Sequence, residues 1–220
     1  YASTMSIALI INVLQGGFST FWSGYMFANY KNISDITEKV HDIMMFLLTV
    51  MFLGLTLFKD IIFILLGVEF REGKEFFSLL LIYPLLMLGM ETTAYGISIA
   101  KKTYLSFINF VLFFFTNVLG GYVLVPEYGL KGMAIASSLS AIVLFMMQTL
   151  MAQRYYRTIK NPFKTVLVVC LIEIFAIYDT FVKRDYVYIG VIMMVIVVIL
   201  ILYINIIREG ISMIRKAVIK

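Results

Sequence analysis

Asn117-Val118-Leu119-Gly120-Gly121-Tyr122-Val123-Leu124-Val125-Pro126-Glu127-Tyr128-Gly129-Leu130-Lys131-Gly132-Met133-Ala134-Ile135-Ala136 reads as the turn of a membrane hairpin. An apolar run of membrane length ends at Pro126. A short charged turn follows, and a second apolar run opens on small residues: Gly129, Gly132, Ala134, Ala136, Ser137 and Ser138. Proline donates no backbone hydrogen bond and disfavours helix in the residue before it, so Pro126 is expected to stop the first helix. Gly129 can take a positive φ and turn the chain. The small residues beyond it let the second helix lie close against a neighbour.

Working outward, hydrophobic residues make up 62% of the chain and charged residues 14%, and the mean hydropathy is +0.97. Soluble domains are about half apolar and about a quarter charged. The composition therefore implies an all-α integral membrane protein. Its apolar runs match the roughly 20 residues that span about 30 Å of hydrocarbon as helix, and they lack the alternation of a membrane β-barrel. About seven apolar segments are expected to cross: 5–27, 40–58, 76–100, 104–125, 130–152, 163–181 and 186–207. The chain begins at Tyr1, already at the edge of an apolar segment, so further sequence is expected upstream; no signal peptide is read there. The single cysteine, Cys170, excludes an intrachain disulfide and argues against a metal cluster.

Loop charge sets the expected topology. Twelve of the 18 basic residues fall on one set of loops: 28–39, 101–103, 153–164 and the tail from Arg208. Six fall on the other: Lys59, Arg71, Lys74, Lys131, Lys183 and Arg184. The positive-inside rule assigns the first set, with the C-terminus, to the cytoplasmic side of a plasma (inner) membrane, and reads the net charge of +5 as loop bias, with no nucleic-acid partner. Asn29–Asp42 carries Ile33, Ile36 and Val40 at helical spacing among polar residues and reads as a short amphipathic helix starting near Ser34. Ile61–Val68 is too short to span and, with the charged 69–75, reads as an interfacial turn. No loop is long enough for a soluble catalytic domain.

Polar residues within the apolar runs are the candidate functional residues. Glu91 lies mid-way along 76–100, where a charge costs roughly 3 kcal/mol on insertion scales and faces a cavity or a partner. Tyr95, Ser98 and Lys102 share its helix face, and Pro84 should kink the helix below it. The face reads either as a cavity wall with a protonatable carboxylate or as a buried Glu bonded to a neighbouring helix. Asn12, Gln15, Gly16, Ser19 and Ser23 form a similar face on the first segment, with Trp22 and Tyr25 as an interfacial aromatic belt. Asn109, Thr116 and Gly120 read as helix-contact glue on the fourth. Glu173 is a second buried carboxylate, His41 reads as a solvated surface histidine, and the uniformly apolar last segment reads as lipid-facing.

The hairpin residues Asn117, Pro126, Gly129, Gly132, Ala134 and Ala136 resemble an "N-x8-P-x-x-G-x-x-G-x-A-x-A" stretch of bacterial polysaccharide flippases. These are the Wzx-type exporters of the multidrug/oligosaccharidyl-lipid/polysaccharide superfamily. Tyr1-Ala2-Ser3, Phe21-Trp22-Ser23, Leu65-Leu66-Gly67 with Phe70 and Lys74, Tyr83-Pro84-Leu85-Leu86 and Lys101-Lys102-Thr103 resemble further stretches of that family in order. Gly121 and Gly24 depart from it, standing where the family often has Asn and Pro. The resemblance implies the C-terminal lobe of a two-lobe transporter, over 1–152 and lacking its first helix, with two additional helices and a cytoplasmic tail over 153–220. It implies no enzyme and no cofactor. It implies flipping of a lipid-linked oligosaccharide by alternating access against an N-terminal lobe of the same protein, coupled to a proton or sodium gradient. Substrate and ion would then meet Glu91, Tyr95, Ser98, Lys101, Lys102, Asn12, Gln15 and Asn117. A diphosphate headgroup needs charge partners, and Lys101 and Lys102 are the nearest candidates, although both also serve as topology determinants. A multidrug cation exporter of the same superfamily, a membrane glycan polymerase or acyltransferase, and a seven-helix receptor are the competing readings.

Overall fold

The computed structural model describes residues 2–66 and 73–218. Glu69 and Arg71 of the charged outer loop, and Tyr1, Gly67 and Phe70 of the resembling stretches, lie outside the described residues. Within them the chain forms helices and no strand: α1 (Ala2–Asn29), α2 (Ser34–Leu57), α3 (Lys59–Leu66), α4 (Phe77–Met90), α5 (Tyr95–Ile99), α6 (Tyr104–Gln153), α7 (Pro162–Phe181), α8 (Tyr186–Leu202) and α9 (Ile204–Val218). Among the described residues, Asp35–Leu57 and Tyr104–Gln153 are each long and apolar enough to cross a membrane, and the bent pair α8–α9 makes a third if taken as one span. These lengths define an all-helical membrane protein.

A straight helix with the 50 residues of α6 would be about 75 Å long. Instead α6 reverses at Gly129, where φ is 56° and ψ is −131°, a conformation open almost only to glycine. The antiparallel register is marked by side chains across the turn. Asn117 Nδ2 donates to Ser137 Oγ at 3.2 Å, and Asn109 Nδ2 donates to Gln148 Oε1 at 2.7 Å. Gln148 Nε2 in turn donates to Ser106 Oγ at 2.8 Å. The glue read on the fourth segment is therefore present at Asn109, whereas Thr116 bonds back to Leu112 O of its own helix. Pro126 does not stop the helix as expected; it lies inside α6, and the reversal comes three residues later. A proline so close to a helix end deprives the helix of a single hydrogen bond, so the turn goes to the residue that can adopt positive φ.

α4 is the centre of the packing. Phe77, Leu79, Leu81, Ile82, Leu85 and Leu88 leave at most 5% of their surface exposed, and α4 packs against α1, α2, α6 and α7. A helix apolar all round belongs in such a place. Phe52 of α2 meets Phe175 of α7 at 6.3 Å, and Phe63 of α3 meets Phe77 at 5.3 Å, both edge-on. α7 thus shares one core with the helices before it. α8 buries Tyr188, Ile192, Val195 and Ile199 and leaves Val187, Ile189, Met193, Met194, Val197 and Ile201 exposed, as a peripheral helix does.

Two expectations change at the ends of helices. The amphipathic stretch 29–42 is not a separate helix: the chain turns at 30–33, and everything from Ser34 onward is the first part of α2. Ile33 holds the cap position without a side-chain cap and is buried. Nothing in 34–42 breaks a helix, so hydrogen bonding propagates straight into the span. The last helix does not run on to Ile207. It bends by 66° after Leu202, where buried Tyr203 packs 5.4 Å from Phe46 and under Lys164, whose Nζ lies 4.1 Å from the ring.

The charged side chains pair in two layers. One layer joins Lys160 to Asp35 and Glu38, Lys164 to Asp42, and Lys39 to Glu209. The other joins Lys59 and Arg184 to Asp179, Arg184 and Lys74 to Asp60, and Lys131 to Glu75. No described pair mixes the two loop sets separated by charge count. The Lys160 ammonium is held above the usual lysine range, first by its hydrogen bond to Asp35 and then by Glu38. That contribution is present at neutral pH and is lost as pH rises through the raised value.

Candidate functional site

The segment 76–100 was expected as one kinked helix with Glu91 at its middle. It is two helices, α4 and α5, separated by a stretch of turns at 91–94, and Glu91 caps the end of α4. The Glu91, Thr92 and Thr93 amides reach back three residues, to Leu88, Gly89 and Met90 carbonyls. Two threonines drive the break. Thr92 Oγ1 donates to Gly89 O at 2.7 Å, and Thr93 Oγ1 lies 3.4 Å from Met90 O. Hydroxyls that bond to nearby carbonyls compete with the helical ladder. Pro84 remains inside α4.

Neighbouring helices hold the break. Thr93 Oγ1 meets Thr149 Oγ1 of α6 at 2.9 Å. His41 Nδ1 lies 2.7 Å from Thr92 Oγ1, and His41 Nε2 lies 3.0 Å from Thr165 Oγ1 of α7. Because the Thr92 proton goes to Gly89 O, its oxygen accepts from Nδ1–H, and Nε2 accepts from Thr165. His41 is 1% exposed, which corrects the reading of a solvated surface histidine. The merging of 34–42 into α2 turns position 41 toward α4 and α7. His41→Ala should leave the buried Thr165 hydroxyl without its acceptor and remove the donor to Thr92, whose bond to Gly89 O remains, and cost about 1–3 kcal/mol. A thermal-unfolding or denaturant series in detergent checks this, and His41→Asn should recover part of the loss by keeping one polar contact.

The first-segment polar face meets this break. Gln15 Nε2 donates to Glu91 Oε1 at 2.9 Å. Ser19 and Ser23 of α1 interact with the Tyr95 hydroxyl, and Phe27 packs edge-on to Tyr95 at 5.7 Å. Glu91 is half-buried and, among the described residues, has no cationic partner. Asn12 is exposed, one turn from Gln15 on α1. Trp22 is not an interfacial belt residue: it is 3% exposed, stacked on Phe18 and Tyr25, in a cluster with Met26, Ile33 and Tyr95. Packing α1 on α4 and α5 turns its aromatic end inward.

The remaining candidates separate. Ser98 is exposed on α5. Lys101 is the one described non-glycine residue with positive φ, at 56°. Its amide bonds Ser98 O and the next amide, of Lys102, bonds Ile97 O, each at 3.0 Å, which is the Schellman closure of a helix end. Lys101 therefore terminates α5 by its backbone and projects an exposed side chain, while Lys102 Nζ lies 4.8 Å over the Tyr155 ring. Asn117 belongs to the hairpin contact with Ser137 and does not bond to Glu91. Glu173 accepts from Ser138 Oγ at 2.8 Å through one oxygen, and its other oxygen has no partner among the described residues.

The sequence reading missed Thr92, Thr93 and the ion cluster at Asp179. A Glu-Thr-Thr run inside an apolar segment was the available signal for the break, since each hydroxyl can unlatch a helical turn. No such signal marked Asp179, an acidic residue two positions from the end of α7.

Fold and site together define the class: an all-helical membrane protein with a carboxylate at the break of its central helix, facing the polar side of another helix. Comparison with protein-family models, with curated proteins and with solved structures finds no match to this chain.

Proposed function

We propose that this chain is the C-terminal part of a plasma-membrane flippase that exports a lipid-linked oligosaccharide for cell-surface polysaccharide synthesis. The observation that carries the reading is the broken helix whose Glu91 faces Gln15 of α1, with Tyr95 beyond the break beside Ser19 and Ser23. Transporters bind substrate and coupling ion at discontinuous helices, where unwound backbone and polar side chains replace lipid-facing packing. Carboxylate, amide, hydroxyl and phenol groups gathered where α1 meets the break suit the hydroxyls of a sugar, and a half-buried carboxylate suits a coupling proton or sodium ion. The resemblance of the hairpin, the Pro84 stretch and the Lys101–Thr103 turn to polysaccharide flippases points the same way.

In this reading the chain crosses the membrane about seven times, with α6 supplying two spans through its reversal at Gly129. The layer holding Lys39, Lys160 and Lys164 faces the cytoplasm, and the C-terminus lies there. A second lobe, upstream of Tyr1, completes the cavity and supplies the deep basic residues that a diphosphate requires. The protein acts as a transporter and catalyses no covalent step.

One observation favours a second reading. Glu91 has no described cationic partner, which also suits an organic cation, as in a multidrug exporter of the same superfamily.

Glu91→Gln should lower export at least about tenfold, a rise of about 1.4 kcal/mol in the transport barrier. Protein level should hold, because glutamine can keep the Gln15 contact. The measurement is surface polysaccharide, and lipid-linked oligosaccharide on the inner leaflet, in cells lacking the gene and complemented with either form. Loss of surface polymer with inner-leaflet accumulation supports flipping. Intact polymer with increased sensitivity to cationic drugs favours the multidrug reading. Full complementation by Glu91→Gln makes Glu91 a structural residue.

A further inference from the structure

α9 has no role in the site described above. Its sequence divides sharply by face. At about 100° per residue, Ile204, Ile207 and Ile211 fall together on one side, while Asn205, Glu209 and Ser212 fall on the other. Arg208 and Arg215 lie within about 40° of Ile204 on the helical wheel, at the border between the two faces. Ile204 is 42% exposed and Ile211 60% exposed, with Ile207 half-buried between them, so the protein leaves much of the apolar side uncovered. The helix also leaves the direction of α8 by 66°. Glu209, the single acidic residue of α9, is paired with Lys39 at 3.3 Å. That contact ties α9 to the layer of Lys160 and Lys164 and leaves Arg208 and Arg215 as its unpaired described charges.

We propose that α9 lies in the plane of the membrane surface and recognises anionic lipid. Ile204, Ile207 and Ile211 enter the boundary between headgroups and acyl chains, and Arg208 and Arg215 bind the headgroup phosphates. Three features select a lipid surface as the occupant. α9 continues directly from α8, an apolar helix with a lipid-exposed side, so the bilayer edge is already at its first residue. The break at Tyr203 turns an amphipathic helix from the span direction toward the surface direction, which is the geometry of an interfacial helix. The arginines at the border between the faces have the reach to extend their guanidinium groups to phosphates while their stems stay over apolar surface.

The test uses the full-length protein with Cys170→Ser, reconstituted in nanodiscs of phosphatidylcholine alone or mixed two to one with phosphatidylglycerol. A polarity-sensitive thiol probe is placed at Ile211→Cys or, separately, at Ser212→Cys. With anionic lipid, the probe at 211 should shift to the blue and be several-fold less open to an aqueous quencher than the probe at 212. The protection should weaken in phosphatidylcholine and in high salt. Arg208→Gln with Arg215→Gln should weaken the docking by about 30-fold, from the effect of two basic residues near an anionic surface. If that pair of substitutions prevents folding, the salt titration on the parent protein carries the same distinction. Equal quenching at 211 and 212 in both lipids overturns the proposal. So does protection at 211 that ignores lipid charge and salt, and so does a disulfide between two copies of unlabelled Ile211→Cys, which would make a second chain the occupant.

Discussion

Asp179→Ala is expected to destabilise the protein by about 3–5 kcal/mol, the cost of leaving a buried charge without its partner. Asp179 is an acceptor at the centre of four donors. Lys59 Nζ and Ser78 Oγ each lie 2.6 Å from Oδ2. Tyr188 Oη lies 2.8 Å from Oδ1, and Arg184 reaches the same oxygen at 3.5 Å. The side chain of Asp179 is 0% exposed and that of Lys59 7%. One carboxylate therefore joins α3, α4, α7 and α8 at a single end of the bundle. Burial pushes the Lys59 ammonium below the usual lysine range, and its hydrogen bond to Asp179 opposes that shift. Removing the carboxylate removes the opposing influence and leaves the desolvation. Denaturant unfolding in detergent measures the loss. Lys59→Met in the same chain should recover a substantial part of it, because the unpaired charge is then gone. A change below about 1 kcal/mol for Asp179→Ala would mean that water reaches Lys59 and that the cluster is a surface pair in effect.

Gly96→Ala and Gly132→Ala should rank next, and both should disturb helix approach by pressing on main chain. A methyl group at Gly96 would lie 2.0 Å from Ala152 O and 2.7 Å from its carbonyl carbon. At Gly132 it would lie 2.3 Å from Leu124 O. Backbone cannot move aside as a flexible side chain can, so the helices must separate. Overpacking of this kind costs typically 1–3 kcal/mol and sometimes more, and two clashes with main chain belong at the upper end. The consequence differs between the sites. Gly132→Ala opens the hairpin and should weaken the Asn117–Ser137 contact. Gly96→Ala pushes α5 from the end of α6 and moves Tyr95 away from Ser19 and Ser23, so on the proposed function it should lower export even where folded protein remains. Melting temperature and export in parallel separate the two. Gly16, with nothing within 4 Å of an added methyl, is the matched control and should tolerate alanine.

The candidate residues divide by how far their partners are in the chain. Glu91, Gln15, Tyr95, Ser19 and Ser23 could be picked out because a polar residue in an apolar run is conspicuous by itself. Asn109 could be assigned to a helix contact on the same ground, and its bond to Gln148 exists; Asn117, read as a substrate candidate, bonds Ser137 across the hairpin. His41 was misread because its surroundings in sequence are polar, whereas its partners Thr92 and Thr165 are 51 and 124 residues away. Trp22 was misread for the same reason: aromatic residues near a segment end fit a belt, and only the packing of α1 on Tyr95 shows the ring enclosed. Lys101 reads as a topology or substrate charge, and its backbone conformation, which its sequence does not announce, also closes the end of α5.

The sequence by itself determined that this is a helical membrane protein, where its chain reverses, and which polar residues deserve a functional reading. Those properties follow from hydropathy over windows of about 20 residues and from the backbone limits of glycine, and each acts locally. Tertiary structure alone decided that Glu91 ends a helix, that Gln15 is its partner, that His41 and Thr149 hold the break, and that Asp179 gathers four helices. Each depends on which helix faces which, and in an apolar bundle that choice is made by a few close contacts and side-chain hydrogen bonds among surfaces of nearly equal hydrophobicity. Hydropathy cannot distinguish those surfaces; shape and donor–acceptor pairing across the packed helices can.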